Sequence, residues 1–446
     1  MAARSARLAL GGCAAVLALA ACSAGSSAQP GPPSPAGPAA PGAQPGPGPA
    51  PAMSLPPVVP GAAGAPPALP GALSPAQLAA AYDTGPLLSR GITGHGQTIA
   101  IIDAYGSPTI KHDLAAFDKA WHLPAPPSFR VIAPAGAIPP FRPTHLRTGW
   151  AGEATMDVEA AHLIAPGAAL LLVVAPSFGP LAPGRLPAFV RAMTYVIRHH
   201  LASVMSISVA WPEGSFPSLW DMHLAIAGAG RPGSLVTMAA GSGDYGAAAG
   251  SDPLPQVAWP ASDPLVVGVG GTRVGTQPPG VTVAPATSWP HSGGGQSQVF
   301  ARPAYQRTVA GLAGQWRAVP DIALDAYGAS GLEMYATPRS IGYPRKWSDG
   351  YGTSLAAPLF AGVMALADQE AGRPLGVINP LLYQMAAQHD PGIVDVRGRG
   401  NTFHQQGATV RGFPAGPGYD LVTGLGTIDA AKFVPDLVRL AHQEAA

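Results

Sequence analysis

The sequence predicts an α/β domain built on a doubly wound, mainly parallel sheet flanked by helices and starting near residue 74. Two observations carry this. Short, wholly apolar runs alternate with helical segments, and strands that are apolar on both faces belong to sheets covered by helices on both sides. Several of these runs also end in a carboxylate or in glycines, as at the ligand-bearing carboxyl edge of such a sheet.

The elements follow in order. At Leu73 the composition changes, and "LSPAQLAAAYD" offers a Ser-Pro helix start with apolar positions at helical spacing. "QTIAIID", Gln97 to Asp103, is a short β-branched strand ending in a carboxylate; "AYGSP" breaks it and "TIKHDLAAFDKAWHLP" supplies a helix. The unit then recurs. "EATMDVEAAHLIAPGA" is helical and stops at Pro166, and "ALLLVVA" is a strand buried on both faces. "LPAFVRAMTYVIRHH" is a helix before the strand "ASVMSISVA", and "SLWDMHLAIAGAG" a helix before "SLVTMAAGSGD", a strand running into glycines. "LVVGVGGT" is a further strand, and no repeat of fixed period is present.

A chain of 446 residues, 47% hydrophobic and 11% charged, can bury one large core or two ordinary ones, which excludes disorder throughout. Lys plus Arg is 25 against 24 Asp plus Glu, so no overall field attracts nucleic acid or an anionic membrane. Arg4 and Arg7 followed by "LALGGCAAVLALAAC" read as an export signal over residues 1–22, too short to span a bilayer comfortably. "LAAC", Leu19 to Cys22, resembles a bacterial lipobox, in which the cysteine becomes the lipid-bearing N-terminus. The alternative is an ordinary signal-peptidase site that releases the protein. Cys13 falls in the discarded part, leaving no cysteine pair for an intramolecular disulfide. Residues 23–73 are almost wholly Pro, Ala, Gly and Ser, the composition of a semi-stiff tether. The folded domain is expected over residues 74–446.

Chemistry concentrates in three places. Glu153 and Asp157 are four residues apart on a helical segment, so they stack on one face and repel. Such a pair either lies on a solvated face or is used as a coupled proton-transfer pair. Glu159 points elsewhere and is expected to be solvated. Asp244 in "GSGDYG" follows a buried strand, where aspartate caps turns routinely. Ser354 in "GYGTSLAAPLFAG" leads an apolar helix, either as its cap or as a nucleophile whose developing charge the helix N-terminus favours. No histidine has an equally suitable setting.

Taken together, these segments resemble the sedolisins, serine-carboxyl peptidases with a subtilisin-like fold. The resemblance runs from about Leu73 to the C-terminus, with the motifs in the family's order. It implies Ser354 as the nucleophile, Glu153 as its base, Asp157 as the partner of the base and Asp244 as the residue that serves the oxyanion. Asp103 holds the place of an acid hydrogen-bonded to the base. The ending "VDVRGRGN…PAGPGYDLVTGLGT" is similar to the family's calcium loop, which implies Ca2+ held by Asp395 and Asp420 and by the carbonyls of Val396, Gly416 and Gly418. An all-oxygen set of this kind suits a hard cation, and the alternative is a glycine-rich turn with two aspartate caps.

The resemblance therefore implies an exported serine-type endopeptidase acting on peptides or proteins at acidic pH. It is expected to be a monomer outside the cell or at its surface, touching the membrane only through lipid on Cys22. A carboxylate base works at lower pH than histidine, and a protonated Asp244 donates only below its own pKa. Two departures stand out. The family carries a large folded propeptide where this chain has a Pro-rich stretch, so activity without proteolytic maturation is expected. Where the family commonly has Trp after "SIS", this chain has Val209, with Trp211 two residues later. Two alternatives remain: an inactive binding protein on the same fold, which would have lost one of the four site residues, and an ordinary subtilisin, which needs an "HGTH" type of run that is absent.

Overall fold

The computed structural model describes residue 69 and residues 71–178, 186–216, 218–231, 235–250, 254–275, 286–405 and 408–445. The expected signal segment, Cys22 with its lipobox, and nearly all of the Pro-rich stretch lie outside these residues. A short helix, Pro75–Ala81, begins the domain, capped by the Ser74 hydroxyl with Gln77 reciprocating.

The elements that build the site are β1 (Thr98–Ala104), α1 (Ile110–Trp121), β2 (Phe129–Ile132), α2 (His145–Ile164) and β3 (Ala169–Ala175). Then come α3 (Ala188–Arg198), β4 (Val204–Ile207), α4 (Leu219–Ile226), β5 (Thr237–Gly241) and β6 (Val267–Arg273). β7 (Thr287–Ser288), β8 (Ile322–Asp325), the hairpin of β9 (Leu332–Tyr335) and β10 (Trp347–Gly350), α5 (Thr353–Ala371), β11 (Arg397–Gly398) and α6 (Ala430–Ala445) follow. The main sheet runs β11-β7-β6-β5-β4-β1-β3-β2, with β8 also paired to β6. Only the β6–β7 pairing in it is antiparallel.

Alternation along the strands explains the layering. Ile99, Ile101, Leu170 and Leu172 face one core with α2 and α5, whereas Ala100, Ile102, Leu171 and Val173 face another with α3 and α4. Both faces are covered, which is why these strands read as unbroken apolar runs. α5 is buried almost all round, and it lies so close to α2 that a Cβ on Gly362 would stand 2.6 Å from the Ile164 Cβ. Only glycine permits that approach.

The expected strands and helices are all present. β2, β7, β8 and β11 were not expected. β2 has no fully buried residue, and β7 and β11 are two residues each, too short to show a period. The order reverses at β1: β3 and β2 lie to one side, β4, β5 and β6 to the other. A crevice is expected at the carboxyl ends of strands beside such a switch point. Asp103 lies at the end of β1, Ser208 just beyond β4 and Asp244 just beyond β5.

Candidate active site

Glu153 and Asp157 sit mid-way along α2, and neither is solvated: Glu153 is 8% exposed and Asp157 0%. The solvated-face alternative is thereby excluded. Both oxygens of Asp157, both of Asp103 and Oε1 of Glu153 are buried without a hydrogen-bond partner. Ionised oxygens in that position would be costly, and a carboxyl gains a donor only by holding a proton. Burial accordingly lifts all three acids. Asp103 is pushed well up by desolvation and then by Glu153, and Asp157 by desolvation and then by Asp103 and Glu153, with Ser208 opposing. Glu153 is pushed up to about 8, chiefly by burial, with the Ser354 hydroxyl beside it pulling down and Asp244 pushing up.

Ser354 is not the cap of α5. The helix starts at Thr353, and its N-cap is Gly352, which has no side chain to cap it. Ser354 is therefore the second helical residue, held where its carbonyl accepts from the Ser208 hydroxyl at 3.2 Å. Asp244 closes the other side. Its Oδ1 accepts from the Thr353 N–H at 2.8 Å and from the Thr353 hydroxyl at 2.9 Å, while that hydroxyl accepts from the Gly243 N–H at 3.0 Å. It therefore satisfies an orphan N–H of α5 rather than capping its own turn. Burial raises Asp244, and the bonds from Thr353 and the nearby His291 oppose the rise. The structure thus brings Asp103, Glu153, Asp157, Asp244 and Ser354 together beside the carboxyl ends of β1, β4 and β5.

Thr353 and Ser208 were not singled out from the sequence. Thr353 adjoins Ser354, and Ser208 closes the "SIS" run, but the bonds that matter come from distant loops. Glu159 corrects an expectation: it is 0% exposed, its Oε2 accepting from the Tyr335 N–H at 3.0 Å. α2 has no solvated stripe, because α1, β9 and α5 cover it.

A model of the Subtilase family matches residues 148–387, slightly more than half of the chain. The chain belongs to the subtilase family. Kumamolisin from Bacillus sp. (strain MN-32) is 32% identical over 84% of this chain and 65% of its own length. Human tripeptidyl-peptidase 1 is 37% identical over 38% of this chain and 31% of its own. The crystal structure of Pseudomonas sedolisin, a serine-carboxyl proteinase with two molecules of pseudo-iodotyrostatin, superposes with a TM-score of 0.68 at 26% identity, covering 84% of this chain and 98% of that one. The chain thus spans less than two thirds of the curated relatives named.

Two further features of this subtilase-family chain bear on the expectations. Trp211 is buried in an aromatic cluster, stacked on Phe178 at 5.3 Å and on Trp259 at 5.9 Å between ring centroids, while Val209 is buried beside the crevice strand. The expected metal residues also meet in one loop cluster. Asp395 Oδ1 accepts from the Gly418 N–H at 3.0 Å, and the Thr423 hydroxyl lies 3.3 Å from the Val396 carbonyl and 3.1 Å from Asp420 Oδ2. Among the described residues no group of three or more His, Cys, Asp or Glu side chains could hold a metal. Any site here rests on two carboxylates and backbone oxygens. Among the described residues Asp420, which is buried, faces N–H and hydroxyl donors and forms no ion pair, and Asp395 forms one with the exposed Arg397. That donor set fits a hard cation.

Proposed function

We propose that this chain is a serine-type endopeptidase of the serine-carboxyl kind, exported and working in acid on peptide or protein substrates. The observation that carries the proposal is the placement of the Ser354 hydroxyl against Glu153, a buried acid whose other neighbours are also acids. A serine in that setting has a proton acceptor and no competing use.

In this mechanism Glu153 as carboxylate takes the proton of Ser354 while Oγ adds to the scissile carbonyl carbon. Asp244, protonated, donates to the oxyanion that forms. Collapse of the tetrahedral species breaks the C–N bond, and Glu153 returns its proton to the departing amine. Water then repeats the sequence on the acyl-enzyme, regenerating the Ser354 hydroxyl. Asp157, with Asp103 behind it, orients Glu153 and shares its charge, as aspartate does for histidine in serine proteases.

Asp395, Asp420 and the carbonyls of Val396, Gly416 and Gly418 would hold Ca2+, which would supply structural stabilisation of this loop and no step of the chemistry. Release from the cell or retention through lipid on Cys22 is part of the same proposal. Among the described residues no helix is long and apolar enough to cross a membrane.

The test is a pH profile of peptide hydrolysis by the purified protein beside Ser354→Ala and Glu153→Ala. Activity peaking below neutrality and abolished in both variants supports the reading; full activity in either variant would sink it.

A further inference from the structure

The acids of α2 that face the crevice have a counterpart on its opposite side. Glu159 lies two residues beyond Asp157, about 200° further around the helix at 100° per residue. It reaches away from Ser354 into the seam between α2, β9 and α1. Its Oε2 accepts the Tyr335 N–H at 3.0 Å, and its Oε1 is buried without a partner. β9 is tied in turn to α1 through Asp113, which accepts from the Thr337 hydroxyl at 2.5 Å and from the Thr109 hydroxyl at 2.6 Å. The rings of Tyr335, Trp347 and Trp121 pack edge-on in succession, joining the hairpin to α1. Glu159 therefore fastens the catalytic helix to a braced frame.

We propose that Glu159 is a positioning residue whose bond from the Tyr335 N–H fixes the rotation of α2 and so the placement of Glu153 and Asp157 against Ser354. The inference rests on the peptidase reading above. Apolar attraction is non-directional, so the fine rotation of a packed helix is set by the shapes that interlock and by the directional bonds on its faces. The bond from the Tyr335 N–H to Glu159 is such a contact on the far face of α2, beside that of His162 with the Pro124 carbonyl at 2.9 Å one turn on. The titratable groups facing it are Asp113 and Asp118 of α1, Tyr335 of β9 and, one turn further along α2, His162, which lies 3.3 Å from Asp118; His112 faces Asp113. Among the described residues no lysine or arginine forms an ion pair with Glu159. Burial, followed by the repulsion of Asp113 and Asp118, holds its carboxyl well above the ordinary range, while the Tyr335 N–H opposes this.

The sign follows from the raised value. A carboxyl that binds its proton more tightly folded than unfolded contributes fully below the unfolded pKa of about 4.3, and that contribution is lost as pH climbs through the folded value. Ionisation of Glu159 should thus loosen α2 from β9, first lowering turnover and then stability.

The experiment compares the full chain with Glu159→Gln and Glu159→Ala, reading thermal midpoint from pH 4 to 9 together with kcat and KM at acidic pH. Glu159→Gln keeps a neutral group that accepts from Tyr335. It should hold kcat within about threefold and flatten the fall of the midpoint toward alkaline pH. Glu159→Ala should lose kcat by about tenfold or more with KM little changed, since a small misplacement of reacting groups is costly to turnover. A midpoint in Glu159→Gln that falls with pH as steeply as the parent's, or parental kcat in Glu159→Ala, would overturn the proposal. If Glu159→Ala does not fold, the Glu159→Gln midpoint curve alone decides. If the parent cleaves no peptide, the peptidase reading fails, and the midpoint curves still report whether Glu159 is held neutral.

Discussion

Thr353 gives both its backbone N–H and its hydroxyl to the same oxygen of Asp244, at 2.8 and 2.9 Å. With Oδ1 occupied by two donors, Oδ2 is left to carry the proton that Asp244 needs if it is to donate to an oxyanion. Replacing the hydroxyl in Thr353→Val removes one of those donors while keeping the β-branched shape. Because that bond favours the ionised carboxyl, its loss should raise the Asp244 pKa further. The basic limb of the pH profile should move to higher pH. Turnover at acidic pH should fall by roughly fivefold, the effect of about 1 kcal/mol of lost orientation. A basic limb that moves to lower pH would contradict this account.

Gly352 makes the companion prediction. It adopts φ +95°, and a Cβ there would stand 2.7 Å from Asp244 Oδ2. Alanine meets a steric penalty of about 1–3 kcal/mol in this positive-φ, extended-ψ backbone, which is essentially glycine-only, and also displaces Oδ2. Gly352→Ala should retain its fold by circular dichroism while kcat drops on the order of a hundredfold, the usual cost of an oxyanion donor. Parental kcat would show that Oδ2 has no part in turnover.

The pH window follows from two acids that must hold opposite protonation states. In the proposed mechanism Glu153 must be ionised and Asp244 neutral, yet burial raises both, and an ionised Asp244 raises Glu153 further. The pair therefore loses its protons in two separated steps, and the competent form exists between them. Activity should rise as the first proton leaves, peak on the acid side of neutrality, and fade as the second leaves and Asp244 can no longer donate. Asp244→Asn keeps a donor and removes one charge, so the profile should broaden at both ends at reduced turnover, whereas Asp244→Ala should lose about a hundredfold. Steady-state rates from pH 3 to 9 check this, and an unchanged basic limb in Asp244→Asn would refute it.

Much of this arrangement is legible in the sequence because its signals are local. A strand such as Ala169–Ala175 declares its two-sided burial in seven apolar residues, and the four-residue spacing of Glu153 and Asp157 places them on one helical face. What escapes depends on partners far away in the chain. Whether Ser354 caps its helix is decided by the start of α5 at Thr353, a boundary that sequence locates only to a few residues. Glu159 was expected in solvent because acids usually are. Its flanking residues Met156, Val158, Ala160 and Ala161 leave α2 no polar face, but the Tyr335 N–H that makes burial tolerable lies 176 residues away. β8 joins the sheet with four fully buried residues, "IALD", too few to distinguish a strand from any apolar loop.

The loop around Asp395 and Asp420 gives the last prediction. Asp420 Oδ1 accepts from the N–H groups of Val422 and Thr423, both at 2.8 Å, and the Thr423 hydroxyl also reaches the Val396 carbonyl, so the loop is organised around a buried carboxylate that forms no ion pair among the described residues. An ion bound only to the folded state stabilises it by the logarithm of concentration over Kd, about 2.7 kcal/mol at a hundredfold excess. Chelator should therefore lower the thermal midpoint of protein that contains calcium at the outset, and adding calcium back should restore it. Asp420→Ala should have a lower midpoint that neither chelator nor calcium changes. Asp395→Asn should keep the calcium response but require more calcium, because a neutral oxygen replaces a carboxylate paired with an exposed arginine. Kinetics separate this loop from the crevice: at saturating calcium, Asp395→Asn should cleave peptides at the parental kcat. A midpoint indifferent to chelator, in protein shown by elemental analysis to carry calcium beforehand, would rule out a stabilising ion in this loop.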